Sequence, residues 1–142
     1  MRVVLDANQF VSTVLVPVGR PAQILDAWHQ NQLEILVSPA ILAETRRVLL
    51  YPRLQRRHGW DVAQIDAFLD GLLSSAILTS GDTDIRDVVD DPTDNKYLAC
   101  ALEGHAEYLI TGDQHLLQLD PWRGIRIIPP AVFLDTVLKQ PQ

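Results

Sequence analysis

Arg2-Val3-Val4-Leu5 is a short, β-branched, apolar run, and it stops abruptly at the charge of Asp6. A strand of that composition belongs in the middle of a parallel sheet, where both of its faces are covered. Asn8 can cap a short helix that puts Phe10, Val11, Val14 and Leu15 on its inner side. Pro21 opens a second helix to Trp28. Leu33–Val37 reads as a second strand. Ser38-Pro39 then supplies a cap and a first-turn proline to a helix carrying Ile41, Leu42, Thr45, Val48 and Leu49. Asp61-Val62-Ala63-Gln64 has the form of a capping box and starts an amphipathic helix to about Ser75.

Ala76–Thr79 follows as a third strand, and an acidic loop closes at Asp91-Pro92. Thr93 or Asp94 begins a helix that Gly104 stops. Glu107–Thr111 is a fourth strand, residues 112–117 a turn and short helix, Ile125–Ile128 a fifth strand, and Pro130 to about Leu138 a last helix. Strands alternating with helices predict an α/β fold of three layers, a parallel sheet of about five strands with helices on both faces. No repeat or linker interrupts this order, so residues 1–142 are expected to form one domain.

Composition narrows the partners. Of the 142 residues 47% are hydrophobic and 21% charged, which excludes disordered and collagen-like classes. The net charge of −6, from 18 acidic against 12 basic side chains, argues against holding nucleic acid by bulk positive charge. It leaves open a local basic patch or a metal-bridged contact. The single cysteine, Cys100, can build neither a disulfide framework nor a zinc ribbon, which fits a reducing cytoplasm. No apolar window is long enough for a transmembrane helix, so neither membrane insertion nor a secretion signal is expected.

The chemistry is carried by acids. In open parallel sheets functional groups gather beyond the carboxyl ends of the strands. Asp6 ends the first strand, and Asp113 follows the tip of the fourth by two residues. Glu44 lies in the second turn of the helix leaving the second strand, and Asp94 opens the helix leading into the fourth. Asp6 and Asp94 could each be plain helix caps, and Asp113 a turn former. Glu44 has the strongest functional case, because a purely structural helix would place Leu or Ala there. Several carboxylates at one sheet edge need protons or cations to neutralise them. Oxygen ligands alone select a hard ion, Mg²⁺ or Mn²⁺ rather than zinc.

Four stretches together carry a family resemblance. They are Val3-Val4-Leu5-Asp6-Ala7-Asn8, Ser38-Pro39-Ala40-Ile41-Leu42-Ala43-Glu44, Asp91-Pro92-Thr93-Asp94-Asn95-Lys96-Tyr97-Leu98-Ala99-Cys100-Ala101, and Tyr108-Leu109-Ile110-Thr111-Gly112-Asp113-Gln114-His115-Leu116-Leu117. In this order and spacing the chain resembles the PIN-domain ribonucleases, the fold of VapC-type toxins of bacterial and archaeal toxin–antitoxin pairs. Any one stretch is weak; the four are specific, and they span nearly the whole chain. The resemblance implies a metal-dependent endoribonuclease in which Asp6, Glu44, Asp94 and Asp113 hold Mg²⁺ or Mn²⁺, with Glu44 as ligand or as base for the attacking water. It implies an RNA substrate, a cognate antitoxin, a homodimer and a cytoplasmic location. Ala7 departs from the family, where a hydroxyl residue is common; its loss removes a helper hydrogen bond and no metal ligand.

Secondary candidates surround the acids. Asn8 and Ser12 stand at helical spacing beside Asp6, and Thr111 could turn its hydroxyl to the metal. Asn95 next to Asp94 could support the site or satisfy a helix terminus. Asp90 and Asp91 read as a solvated turn, with a water-mediated metal contact as the alternative. Arg46, Arg47, Arg53, Arg56 and Arg57, with His58, concentrate positive charge suited to RNA phosphate. For Arg46 and Arg47 the dipole at a helix C-terminus explains the charge equally well. The histidines show no metal spacing, although His115 is near enough to Asp113 to touch substrate. Trp28, Trp60, Trp122 and Cys100 read as packing residues.

Three other readings compete. The same acids could serve a housekeeping RNA-processing nuclease. An aspartyl-phosphate phosphatase also begins with a strand ending in Asp, but it wants a second Asp two residues on, where Asn8 stands. A non-catalytic binding module would have no need of all four acids.

Overall fold

The computed structural model describes residues 1–138. β1 (Arg2–Leu5) is followed by α1 (Ala7–Leu15), α2 (Arg20–His29), β2 (Glu34–Val37), α3 (Pro39–Leu49), α4 (Pro52–His58), α5 (Val62–Ser75) and β3 (Ile77–Leu78). A long loop and a 3₁₀ turn (Pro92–Asp94) lead to α6 (Asn95–Glu103), β4 (Tyr108–Ile110), α7 (Gln114–Leu117), β5 (Arg126–Ile128) and α8 (Pro130–Val132). The strands pair in parallel in the order β3-β2-β1-β4-β5.

The sheet is apolar on both faces for the reason its first strand suggests. Val3, Val4, Leu5, Ile35, Leu36, Val37, Leu109 and Ile110 all have no exposed surface. Neighbouring side chains on a strand point to opposite faces, so helices must cover both. Burying each such side chain contributes about 1.5–3 kcal/mol. α6 lies against β1, β2 and β4, while α1 packs on α2, α3 and α4. Where α6 ends, Gly104 approaches β2 so closely that a Cβ there would overlap the Leu36 side chain.

The chain order places the crevice. It winds from β1 outward through β2 to β3, then returns to the far side of β1 for β4. Strand order therefore reverses between β1 and β4, and a groove outside their carboxyl ends is where such sheets bind ligands.

Three local expectations are corrected. α1 is capped by Asp6 and not Asn8: Asp6 Oδ1 accepts from Gln9 N at 3.1 Å, because the helix starts immediately at the strand end. α4 was not expected as a helix at all. It carries no buried residue and so no apolar periodicity. The acid-rich loop after β3 keeps Asp82, Asp84, Asp87 and Asp90 exposed, and it is anchored by buried Ile85 and Val88 and by Trp122 Nε1 donating to Asp87 at 2.6 Å. The last helix breaks after Val132 into a π-type turn (Phe133–Val137) that buries Phe133. The rest of that expected helix lies at the limit of the described residues. Among those residues, no helix is long and apolar enough to cross a membrane.

Candidate active site

Strand register assembles the first part of the site. Leu5 pairs with Ile110, so the next residues, Asp6 and Thr111, emerge side by side from β1 and β4. Thr111 Oγ1 donates a very short hydrogen bond to Asp6 Oδ2 and accepts from Asp113 N at 3.0 Å. One hydroxyl thus ties two acids separated by more than a hundred residues. Burial lifts the Asp6 carboxyl above the ordinary range; Thr111 and Gln9 oppose the rise and the charge of Asp113 adds to it.

Asp94 sits in the 3₁₀ turn, where its N–H donates to the Asp91 carbonyl at 3.0 Å. Its side chain caps nothing. Oδ2 is buried, and no hydrogen-bond partner for it exists among the described residues. One ligand atom from each of Asp91, Asp94, Asp113 and His115 lies within 4.8 Å of the other three. Burial first, then the charges of Asp113 and Asp91, push the Asp94 carboxyl up to about 7, while Lys96 pulls the other way. A buried carboxylate oxygen without a donor is rare and costly. A divalent cation would satisfy that atom and relieve the repulsion among the acids together. The donor set, three carboxylates to one imidazole, suits a hard ion.

Glu44 is held differently. It projects from α3 toward α6, where Oε2 accepts from Tyr97 Oη at 3.0 Å and Oε1 is in close ion-pair contact with Lys96 Nζ. Tyr97 Oη also accepts from Ala7 N at 3.1 Å, and Lys96 donates to the Thr93 carbonyl at 2.8 Å. Burial, with the nearby charges of Glu44 and Asp6, raises the Tyr97 hydroxyl far above its ordinary range and keeps its proton on.

The expected site residues therefore separate into groups. Asp94 and Asp113 face each other directly. Asp6 joins them through Thr111, and Glu44 reaches the backbone beside Asp6 through Tyr97. Neither Asp6 nor Glu44 belongs to the tight four-residue group. Asn8 is exposed on the first turn of α1, and Ser12 lines a groove along that helix. Asn95 turns its amide to the loop, accepting from Val88 N at 2.8 Å and donating to Val88 O and Pro92 O. Arg46 is paired with Asp66 at 2.7 Å, and Arg47 donates to Tyr51 Oη at 3.1 Å. Arg53 and Arg57 line the α1 groove, and Arg56 is exposed.

Asp91 and His115 gain weight over the sequence reading. The 3₁₀ turn folds Asp91 back on Asp94, and the Asp-Pro pair before a short polar helix start was the available signal. His115 follows Asp113 by two residues at the start of α7, where its N–H donates to Asp113 Oδ1 at 2.8 Å. Lys96 and Tyr97 stood in the family-like stretch without a role, and no spacing rule would have found one.

An all-parallel sheet with a cluster of acids at its carboxyl edge defines the class: an α/β protein whose acidic residues gather at the topological switch. Residues 2–115 match the model of the PIN domain, and the chain belongs to the PIN domain family. It is 33% identical over 119 residues to the uncharacterized protein MJ1680 of Methanocaldococcus jannaschii, covering 84% of this chain and 75% of that protein. Its fold is similar to that in the crystal structure of VapBC2 from Rickettsia felis bound to a DNA fragment from their promoter. There the TM-score is 0.62 at 16% identity, over 89% of this chain and 97% of that one. PAE2754 from Pyrobaculum aerophilum is similar at a TM-score of 0.56 and 18% identity, over 98% of this chain and 91% of the other.

Proposed function

We propose that this chain is a metal-dependent endoribonuclease, the toxin of a toxin–antitoxin pair. The observation that carries the reading is the buried, partnerless Asp94 oxygen facing Asp113 and Asp91. Family membership and a fold shared with VapBC2 support it. Asp94 and Asp113, with Asp91 and His115 beside them, would hold Mg²⁺ or Mn²⁺, and Thr111 ties Asp6 to Asp113 next to them. When bound, the ion supplies charge to polarise a phosphodiester and acidify a water.

The chain's own groups do the rest. Tyr97 keeps its proton and donates it in a hydrogen bond to Glu44, which holds that carboxylate in place. Lys96 fixes the rotamer of Glu44 and offsets part of the negative charge that would repel phosphate. Thr111 keeps Asp6 and Asp113 in register. The same reading carries a cognate antitoxin and a homodimer as partners. It also carries the cytoplasm as location, which the free, buried Cys100 supports, its thiol pushed up to about 11 by burial.

The test is incubation of the purified protein with a mixed RNA pool in Mg²⁺, in Mn²⁺ and in EDTA, with the cut ends mapped. Cleavage in either metal and none in EDTA is expected. Undiminished cutting in EDTA would reject the metal, and no cutting in any condition would reject the nuclease.

A further inference from the structure

The two acids outside the tight group are already provided for by the chain. Asp6 Oδ1 accepts from Gln9 N at 3.1 Å, and Oδ2 accepts from the Thr111 hydroxyl. Glu44 Oε2 accepts from Tyr97 Oη at 3.0 Å, and Oε1 touches the Lys96 ammonium. Asp94 is the contrast, because its buried Oδ2 has no donor among the described residues. Its carboxylate belongs to the group formed with Asp91, Asp113 and His115. The unmet demand for a cation therefore lies in that group and not at Glu44 or Asp6.

The group at Glu44 is an unusual one for this chain. Of the 12 basic residues only Lys96 and Lys139 are lysines, and the others are arginines. An ammonium is a compact point charge, nearer to a metal ion in shape than a planar guanidinium is. Its partners here are oxygens, the Glu44 carboxylate and the Thr93 carbonyl at 2.8 Å. The Lys96 and Glu44 side chains are only 17% and 19% exposed, so parting them would leave a poorly hydrated charge without its partner. The same ammonium acts on Asp94, against the rise that burial and the neighbouring acids impose on that carboxyl. Lys96 thus serves both sides of the site.

Resting on the metal-dependent ribonuclease reading, we propose that the centre takes one divalent ion, at Asp91, Asp94, Asp113 and His115, and that the Lys96 ammonium fills the place beside Glu44 and Asp6 where a second ion would otherwise bind. Two-ion sites set a metal against both the entering and the leaving oxygen. Here one of the two charges belongs to the chain. An ammonium offers N–H donors to a phosphate oxygen but no open coordination position, so Lys96 neutralises charge and cannot acidify a water. A divalent ion at Glu44 would have to displace the ammonium and then sit beside it, like charges in a shielded place. Glu44 is accordingly the partner of Lys96 and not a metal ligand.

The test counts Mn²⁺ bound to the purified protein, from the loss of the sharp electron paramagnetic resonance signal of the free ion. The titration is run in about 0.1 M KCl, which screens loose binding to the acidic surface. Wild type is expected to bind one ion per chain and Lys96→Met two, the second taken up by the released Glu44. Lys96→Met combined with Glu44→Gln returns to one, and Lys96→Arg, which keeps the charge, stays at one. Glu44→Gln alone shifts the Kd by less than the roughly tenfold that even an indirect partner of a ligand costs, whereas Asp113→Asn shifts it by more. Circular dichroism shows which variants are folded, and Lys96→Gln takes the place of Lys96→Met if that protein unfolds. Two ions on wild type, one on the folded Lys96→Met or Lys96→Gln protein, or loss of the ion in Glu44→Gln overturns the assignment. The count does not depend on cutting: a protein with the expected counts that cleaves no RNA in any metal keeps this assignment and loses the ribonuclease reading.

Discussion

Glu44 and Asp94 are acids of one candidate site, and the fold treats them in opposite ways. Glu44 has a donor on each oxygen, one from Tyr97 and one from Lys96. Asp94 has a buried oxygen with no donor and two acids for neighbours. The Glu44 side is complete as the chain folds, and its hydrogen bonds also fasten α1 to α6. The Asp94 side is unfinished without a cation, and its folding works against mutual repulsion. On the proposed function, stability and ion binding thus fall to different halves of one site.

Three substitutions press on that division. Asp94→Asn has the largest effect: RNA cleavage falls by at least about 100-fold, since even indirect partners of a metal act on that scale. Without metal the variant melts no lower than wild type, and about 2–4 °C higher if repulsion dominates. Its gain in Tm on adding Mg²⁺ shrinks, as linkage requires. Thermal melts with and without Mg²⁺ check both; an intact metal response together with intact cleavage would remove Asp94 from the site.

Tyr97→Phe should show the reverse pattern. The buried Ala7 N–H loses its acceptor, a cost of about 1–3 kcal/mol and a fall in Tm of roughly 5 °C. The Mg²⁺-dependent rise in Tm persists. A Tyr97→Phe protein that melts normally but no longer responds to metal would show that the two halves are not separate.

The smallest effect is on pH. Asp94 near 7 lies above its unfolded value of about 4, so between those values the folded chain binds more protons than the unfolded one. Its contribution to metal-free stability therefore falls as pH rises from about 4 to about 7 and is level beyond. Metal must displace that proton, so the Mg²⁺-induced rise in Tm grows over the same window. Lys96→Met removes the charge that lowers the Asp94 value, so the whole profile moves to higher pH. Melts from pH 5 to pH 8 read the displacement; a profile unmoved by Lys96→Met would mean that this ammonium does not act on Asp94.

How much of this was legible in the sequence follows from which interactions are local. β1 and α3 are written in short runs, a β-branched stretch ending at Asp6 and a Ser38-Pro39 cap, and each stands within a residue of its expected place. The capping box at Asp61 is equally local. α4 escaped because helix reading leans on apolar period, and this helix has Leu54, Gln55 and His58 half-buried among exposed arginines. Its punctuation was present all the same, Pro52 at the first turn and Gly59 at φ +71° past the end. For the site, the acids could be proposed from strand ends, but their pairing could not. Lys96 meets Glu44 and Tyr97 meets Ala7 across 52 and 90 residues, contacts that depend on how α6 seats between α1 and α3.

The strand order has a consequence for synthesis. β4 is next to β1 in space but lies more than a hundred residues later in the chain, and Thr111 and Asp113 come after it. Until the ribosome has released that segment, β1 has a bare edge, Asp6 lacks its hydroxyl partner and Asp94 lacks the acid it faces. A translation product interrupted between residues 94 and 113 therefore carries Asp6, Glu44 and Asp94 without a centre for them to form. If the chain is a toxin, its harm waits on the arrival of Thr111 and Asp113, and copies that stop short of them are inert.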